Sequence, residues 1–131
     1  MQFPEKYLDL FDNNKKTFLF LATVNAKGIP QVTPVWFETD GEYILINTNE
    51  GRLKDRNMKE RPNQVAMVIQ DSNDPYRYLG LKGKVVSHTT KGADEHINKL
   101  SLRYYGRPWK YREGQKRIIF KIEPIRFDEH N

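Results

Sequence analysis

Cysteine is absent from the 131 residues. Its absence excludes a disulfide framework, a thiolate zinc site, an iron–sulfur cluster and a cysteine nucleophile. Long apolar runs are missing as well. A secretory signal needs about 7–15 uninterrupted apolar residues, and a membrane-spanning helix needs about 20. The amino terminus, MQFPEKYLDLFDNNKK, mixes acids and bases throughout. The expectation is therefore a cytoplasmic protein with no membrane partner. Histidine is scarce: His88, His96 and His130 are scattered, none with a partner at a spacing diagnostic of metal ligation or proton transfer. No metal site and no catalytic residue is assigned on that basis.

What remains is the composition of a folded chain, 37% hydrophobic, 30% charged and 12% aromatic. Disordered chains are poor in aromatic residues because they cannot offset the entropy of folding. A length of 131 residues sits near the commonest single-domain size, so residues 1–131 read as one domain. The net charge of +5 favours anionic partners in general: phosphorylated cofactors, acidic metabolites or nucleic acid.

Pro4 followed by EKYLDLF reads as a short leading helix with Tyr7, Leu8 and Phe11 turned onto the body. Thr17 to Val24 is an apolar strand, turned at Asn25 to Gly28 into a second strand, Gln31 to Phe37. A hairpin through Asp40 and Gly41 leads to a third, Tyr43 to Thr48. Gly51 to Arg61 is helical and is ended by Pro62. Gln64 to Gln70 and Tyr76 to about Ser87 are the next strands. A helix from Ala93 to Tyr105 follows, with Ile97, Leu100 and Tyr104 on one face. A sixth strand, Arg117 to Ile122, is open to continuation past Pro124. Six strands with short turns imply a β-rich α+β fold, a closed or nearly closed small antiparallel barrel.

The chemistry concentrates at the end of the third strand. Arg52, Lys54, Arg56, Lys59 and Arg61 face only Asp55 and Glu60 there. Arg52 and Lys54 fall in the first helical turn, where the helix dipole already carries partial positive charge. An anion would resolve that conflict, because free amides at a helix start together with an Arg and a Lys form a phosphate receptor. Asn47 and Thr48, at the strand end, would add neutral donors. The plainer alternative is a solvated helix face carrying an Asp55–Lys59 pair.

Two further segments join this corner. Pro30 and Pro34 make the second strand an edge or bulged strand, with backbone groups left free for a ligand or simply kinked to close a barrel. Tyr76-Arg77-Tyr78, Tyr104-Tyr105, Trp109 and Tyr111 supply stacking surface, or ordinary packing.

These stretches resemble the flavin-binding split-barrel superfamily related to pyridoxamine 5′-phosphate oxidase, and within it the small deazaflavin-dependent oxidoreductases. The resemblance is carried by LATVNAKGIPQVTPVWF (Leu21 to Phe37), NTNEGRLKDRN (Asn47 to Asn57), NDPYRYLGLKGKV (Asn73 to Val85) and RIIFKIEPIRF (Arg117 to Phe127). It implies a six-stranded split barrel with two or three helices, a homodimer, and cofactor sites at the subunit interface. Arg52 and Lys54 match the phosphate-binding bases. Gln31, Val32, Thr33 and Pro34, with Asn47 and Thr48, match segments lining the ring and its phosphate tail. Tyr76, Arg77 and Tyr78 match a segment brought by the second subunit, and Trp109 is placed at the site by extension. The cofactor implied is coenzyme F-420, an 8-hydroxy-5-deazaflavin, with FMN as the alternative; Arg56 and Lys59 would suit the longer anionic tail of the former.

The function expected is an oxidoreductase passing hydride to a small electrophilic or conjugated acceptor. A non-catalytic flavin carrier or sensor on the same barrel is the alternative. A nucleic-acid-binding barrel ranks below both, since the bases gather in one corner and do not track a groove.

Overall fold

The computed structural model describes residues 2–130. A 3-10 helix, Glu5–Phe11, precedes the strands β1 (Leu19–Val24), β2 (Pro30–Val35), β3 (Phe37–Thr39) and β4 (Ile44–Asn49). Helix α1 (Leu53–Glu60), strands β5 (Val65–Asp71) and β6 (Asp74–Thr89), helix α2 (Ala93–Tyr105) and strand β7 (Arg117–His130) complete the order. The β1–β2 turn is held by the Asn25 side chain, whose Oδ1 accepts from the amides of Lys27 and Ile29. Gly28 closes it at φ 78°, a conformation costly for any residue with a Cβ. Helix α2 ends at Gly106, also left-handed, whose amide donates to the Leu102 carbonyl at 3.1 Å.

All strands lie in one antiparallel sheet in the order β2-β1-β5-β6-β7-β4-β3. The sheet has seven strands where the sequence implied six. The expected second strand, Gln31 to Phe37, is two strands broken at Trp36: β2 pairs with β1 at one edge, and β3 pairs with β4 at the other. Val35 and Phe37 are both buried, so the inward alternation runs through the break unperturbed. Alternation alone could not reveal that the partner strand changes. With the two edge strands joined through a single residue, the sheet is rolled on itself. The prolines of β2 sit on an edge, as their lack of a ladder donor requires.

The leading segment also departs from expectation. It is 3-10 in geometry, which brings Tyr7 and Leu10, three residues apart, onto one face. Tyr7, Leu10 and Phe11 are buried, while Leu8 turns outward. Strand β7 passes straight through Pro124, which lies opposite Gly83 at a shift of register between Lys82 and Gly83; a bulge spares the missing donor.

The interior of the roll is filled by Leu19, Leu21, Phe37, Ile44, Ile46, Ile69, Leu79, Ile118, Phe120 and Ile122, with Met58 of α1 as a lid. Ile97, Leu100 and Tyr104 of α2 form a second, smaller cluster against which Trp36 and Trp109 pack. Among the described residues no helix is long and apolar enough to cross a membrane.

Candidate functional site

Between the two clusters lies a cleft of about 490 Å³. Its floor is the end of β4 (Asn47, Thr48) and the start of β7 (Arg117). One wall is the start of α1 (Arg52, Lys54), and the other is α2 with the loop of residues 107–115. Arg52, Lys54, Arg107, Lys110, Arg112 and Arg117 line it, and among the described residues no aspartate or glutamate does. A cleft lined by one sign of charge focuses the field and concentrates counter-ions.

Two of these bases are partly withdrawn from water without a carboxylate partner among the described residues. Arg117 is only 9% exposed. Its Nε donates to Asn47 Oδ1 at 2.9 Å, and its guanidinium lies 5.1 Å from the Trp109 ring centroid. Burial first, and Arg52 second, push the guanidinium down to about 10. Lys54 Nζ donates to Thr33 Oγ1 at 3.2 Å. Burial, followed by the charges of Arg52 and Arg117, lowers its pKa as well. Removing one partner from a buried ion pair costs about 3–5 kcal/mol, because it leaves a charge uncompensated. Arg117 and Lys54 therefore carry a standing cost that an anion in the cleft would offset.

The helix-face alternative holds for the rest of α1. Lys59 pairs with Asp55 at 3.1 Å and lies 3.6 Å from Glu50. Asp55 is buried and accepts the Gly51 amide at 2.8 Å, which braces the turn into α1. Neither Arg56 nor Lys59 lines the cleft.

An aromatic wall faces the bases. Trp36 stacks on Tyr104 at 5.3 Å and meets Tyr105 and Trp109 edge-on at 4.7 and 6.1 Å. Trp109 is anchored by its amide, which donates to Asn98 Oδ1 at 2.9 Å. Its indole Nε1 and the Gln115 Oε1 are buried without a partner among the described residues. Flat π-faces opposite cations suit a planar heterocycle with an anionic tail.

Of the residues read from sequence, Pro34, Asn47, Thr48, Arg52, Lys54 and Trp109 meet in this cleft. Thr33 is bound to it through Lys54. Gln31 and Val32 are further along β2, with Val32 on its exposed face. Tyr76, Arg77 and Tyr78 belong to the β5–β6 hairpin and do not line this chain's cleft. Arg77 is spent on Asp9, Asp71 and the Lys6 carbonyl. Tyr78 stacks on His130, and Tyr76 stands 84% exposed.

The sequence reading passed over Arg117, Trp36 and the bases Arg107, Lys110 and Arg112. Arg117 was hidden at the head of an apolar strand. A signal did exist, since GRPWKYREGQKR carries one acid, Glu113, among its bases.

The chain is thus a rolled antiparallel sheet with a basic, aromatic-walled cleft beside the β4–α1 corner. The match to the family model "Pyridoxamine 5′-phosphate oxidase" runs over residues 3–131, and the chain belongs to that family. Among solved structures, an F420 reductase is 34% identical, with 96% of this chain and 98% of that one covered and a TM-score of 0.84. A pyridoxamine 5′-phosphate oxidase-like protein from Listeria innocua shares the fold at 16% identity, with 95% of each chain covered and a TM-score of 0.72. So does General Stress Protein 26 from Bacillus anthracis, at 18% identity, 96% and 92% coverage and a TM-score of 0.71. No curated protein matches the chain.

Proposed function

We propose that this protein is an oxidoreductase that holds coenzyme F-420, with FMN as the alternative, and reduces a small electrophilic or conjugated acceptor. The observation that carries the reading is the grouping of Arg52, Lys54 and Arg117 around one cleft with no carboxylate in its lining among the described residues. Such a group calls for an anion, and the aromatic wall of Trp36 and Trp109 suits a flat ring. When bound, the cofactor supplies hydride, from C5 of the deazaflavin or N5 of FMN.

The chain's own residues bind and orient. Arg52 and Lys54 receive the phosphate, with Thr33 holding the lysine in place. Arg117, aimed by Asn47, closes the anion site from below. Trp36 and Trp109 form the wall that shields the ring edge from water. The rim bases Arg107, Lys110 and Arg112 favour a long, multiply charged tail over a single phosphate, as does the likeness to an F420 reductase. No side chain is assigned a proton-transfer role, since hydride transfer needs position and field more than an acid or base.

The working unit is a homodimer. The outer face of the sheet carries two cross-strand rows, Pro34–Phe20–Val68–Gly80 and Val32–Ala22–Ala66. Val32 and Phe20 rank among the exposed large apolar residues. An exposed apolar patch of this kind marks a protein–protein contact, and a second copy would bring Tyr76 to Tyr78 toward the neighbouring cleft.

Spectral titration of the purified protein with F-420 and with FMN tests the cofactor, followed by turnover against enones and quinones. Micromolar binding of at least one cofactor with reduction of some acceptor is expected. Binding of neither overturns the reading, and tight binding with no acceptor turned over makes it a carrier.

A further inference from the structure

Behind the cleft, a line of polar side chains runs from Arg117 to the far side of α2. Asn47 Oδ1 accepts from Arg117 Nε at 2.9 Å. Its Nδ2 donates to the Ala93 carbonyl at 2.9 Å and lies 3.1 Å from His96 Nδ1. His96 Nε2 points at Glu38 Oε1, 3.6 Å away, and Lys99 pairs with the other oxygen of Glu38. Asn47, His96 and Arg117 are all buried. We propose that Glu38 and His96 position Arg117 through Asn47, and that protonation of His96 weakens the hold on an anion in the cleft. This rests on the reading of the cleft as an anion site.

The orientation of Asn47 is set by its neighbours. A flipped amide would place Oδ1 against the Ala93 carbonyl and Nδ2 against the Arg117 N–H, like facing like at both ends. With the amide so fixed, His96 Nδ1 must accept, and its ring proton sits on Nε2 toward Glu38. The imidazole is thereby neutral while Arg117 is aimed. Adding a proton at Nδ1 sets N–H against N–H. Asn47 then has to abandon Ala93 or Arg117, and a guanidinium released from its Nε bond no longer presents its Nη groups in fixed register. The charged groups around His96 are Glu38 of β3 and Lys99 on its own helix. Arg103 senses Glu38, and Asp94 senses Arg117.

Inorganic sulfate is the probe, since it does not titrate from about pH 8 to about pH 5, where imidazole does. Its affinity is read from the Arg117 Nε–H resonance in wild type and in His96→Gln. Glutamine can accept from Asn47 but cannot gain a proton. Arg117→Ala, followed by backbone amide shifts, serves as the site control. Wild type is expected to lose sulfate affinity about fivefold or more across that range, while His96→Gln keeps its affinity. A protein that grows more cationic in acid would bind sulfate better for non-specific reasons, so a fall is diagnostic. The nitrogen shifts of His96 in unliganded wild type at high pH are expected to show the Nε2–H tautomer, a readout independent of any variant. A Nδ1–H tautomer, or equal pH profiles in wild type and His96→Gln, overturns the relay and leaves the cleft standing. Sulfate affinity that Arg117→Ala does not alter overturns both.

Discussion

Arg117 combines two properties that normally exclude each other, burial and the lack of an ion-pair partner among the described residues, with Asp94 acting on it only at a distance. A buried charge without a partner costs stability and is tolerated where binding an anion needs it. Arg117→Met, similar in volume and apolar, is expected to raise the thermal midpoint of the ligand-free protein while weakening phosphate-bearing ligands at least tenfold. Thermal denaturation and ligand titration on the same sample check this. A drop in the midpoint would mean that the guanidinium earns its place by bracing Asn47 alone. Arg52 and Lys54 were legible in the sequence because bases at a helix start break a local rule, although Arg52 proves to be the extended N-cap residue and only Lys54 lies in the first turn. Arg117 was not legible, because it heads a strand whose neighbours, Ile118 and Ile119, read as core. Its meaning comes from the strand opposite, where Thr48 pairs with Ile118 and Asn49 with Arg117.

The central strands depend on close approach at Gly83. A Cβ there would stand 2.6 Å from Ile122 Cγ2 and 2.8 Å from Met67 Cε, atoms of the two flanking strands. Met67 can swing aside, but the β-branched Ile122 has little freedom. Gly83→Ala is expected to destabilise by about 1–3 kcal/mol, read as a lower urea midpoint. The short strand β3 matters for another reason. His96 first, then Lys99, hold the Glu38 carboxyl down to about 2 against the opposing cost of burial. A carboxyl whose pKa falls on folding adds stability that is complete above its ordinary value of 4.5 and is lost as the pH drops toward 2. The gap in urea midpoint between wild type and Glu38→Gln should therefore close between about pH 5 and about pH 2. A gap that stays constant would deny the coupling. Helix α2, with its Ile97–Leu100–Tyr104 face, was evident from spacing, as were the β1, β4 and β5 strands. The break at Trp36 was not, because Val35 and Phe37 keep the two-residue alternation while the chain crosses from one sheet edge to the other.

The molecule presents two unlike surfaces, an apolar sheet face around Phe20 and Val32 and a basic cleft beside α1. Homodimerisation through the first would bury a face that is otherwise a liability. A stable contact of this sort covers roughly 800 Å² per partner. Sedimentation is expected to show a dimer for the wild type and a monomer for Phe20→Lys. A monomeric wild type would remove the route by which Tyr76 to Tyr78 reach a site.

The decisive measurement is the affinity of the assembled protein for F-420 and for FMN, in wild type and in the Arg52→Ala/Lys54→Ala double variant. Loss of two charge-assisted contacts, each about 1.5–3 kcal/mol, should weaken the bound cofactor about a hundredfold or more. Unchanged affinity for both cofactors in a correctly folded double variant would contradict an anion held at the β4–α1 corner.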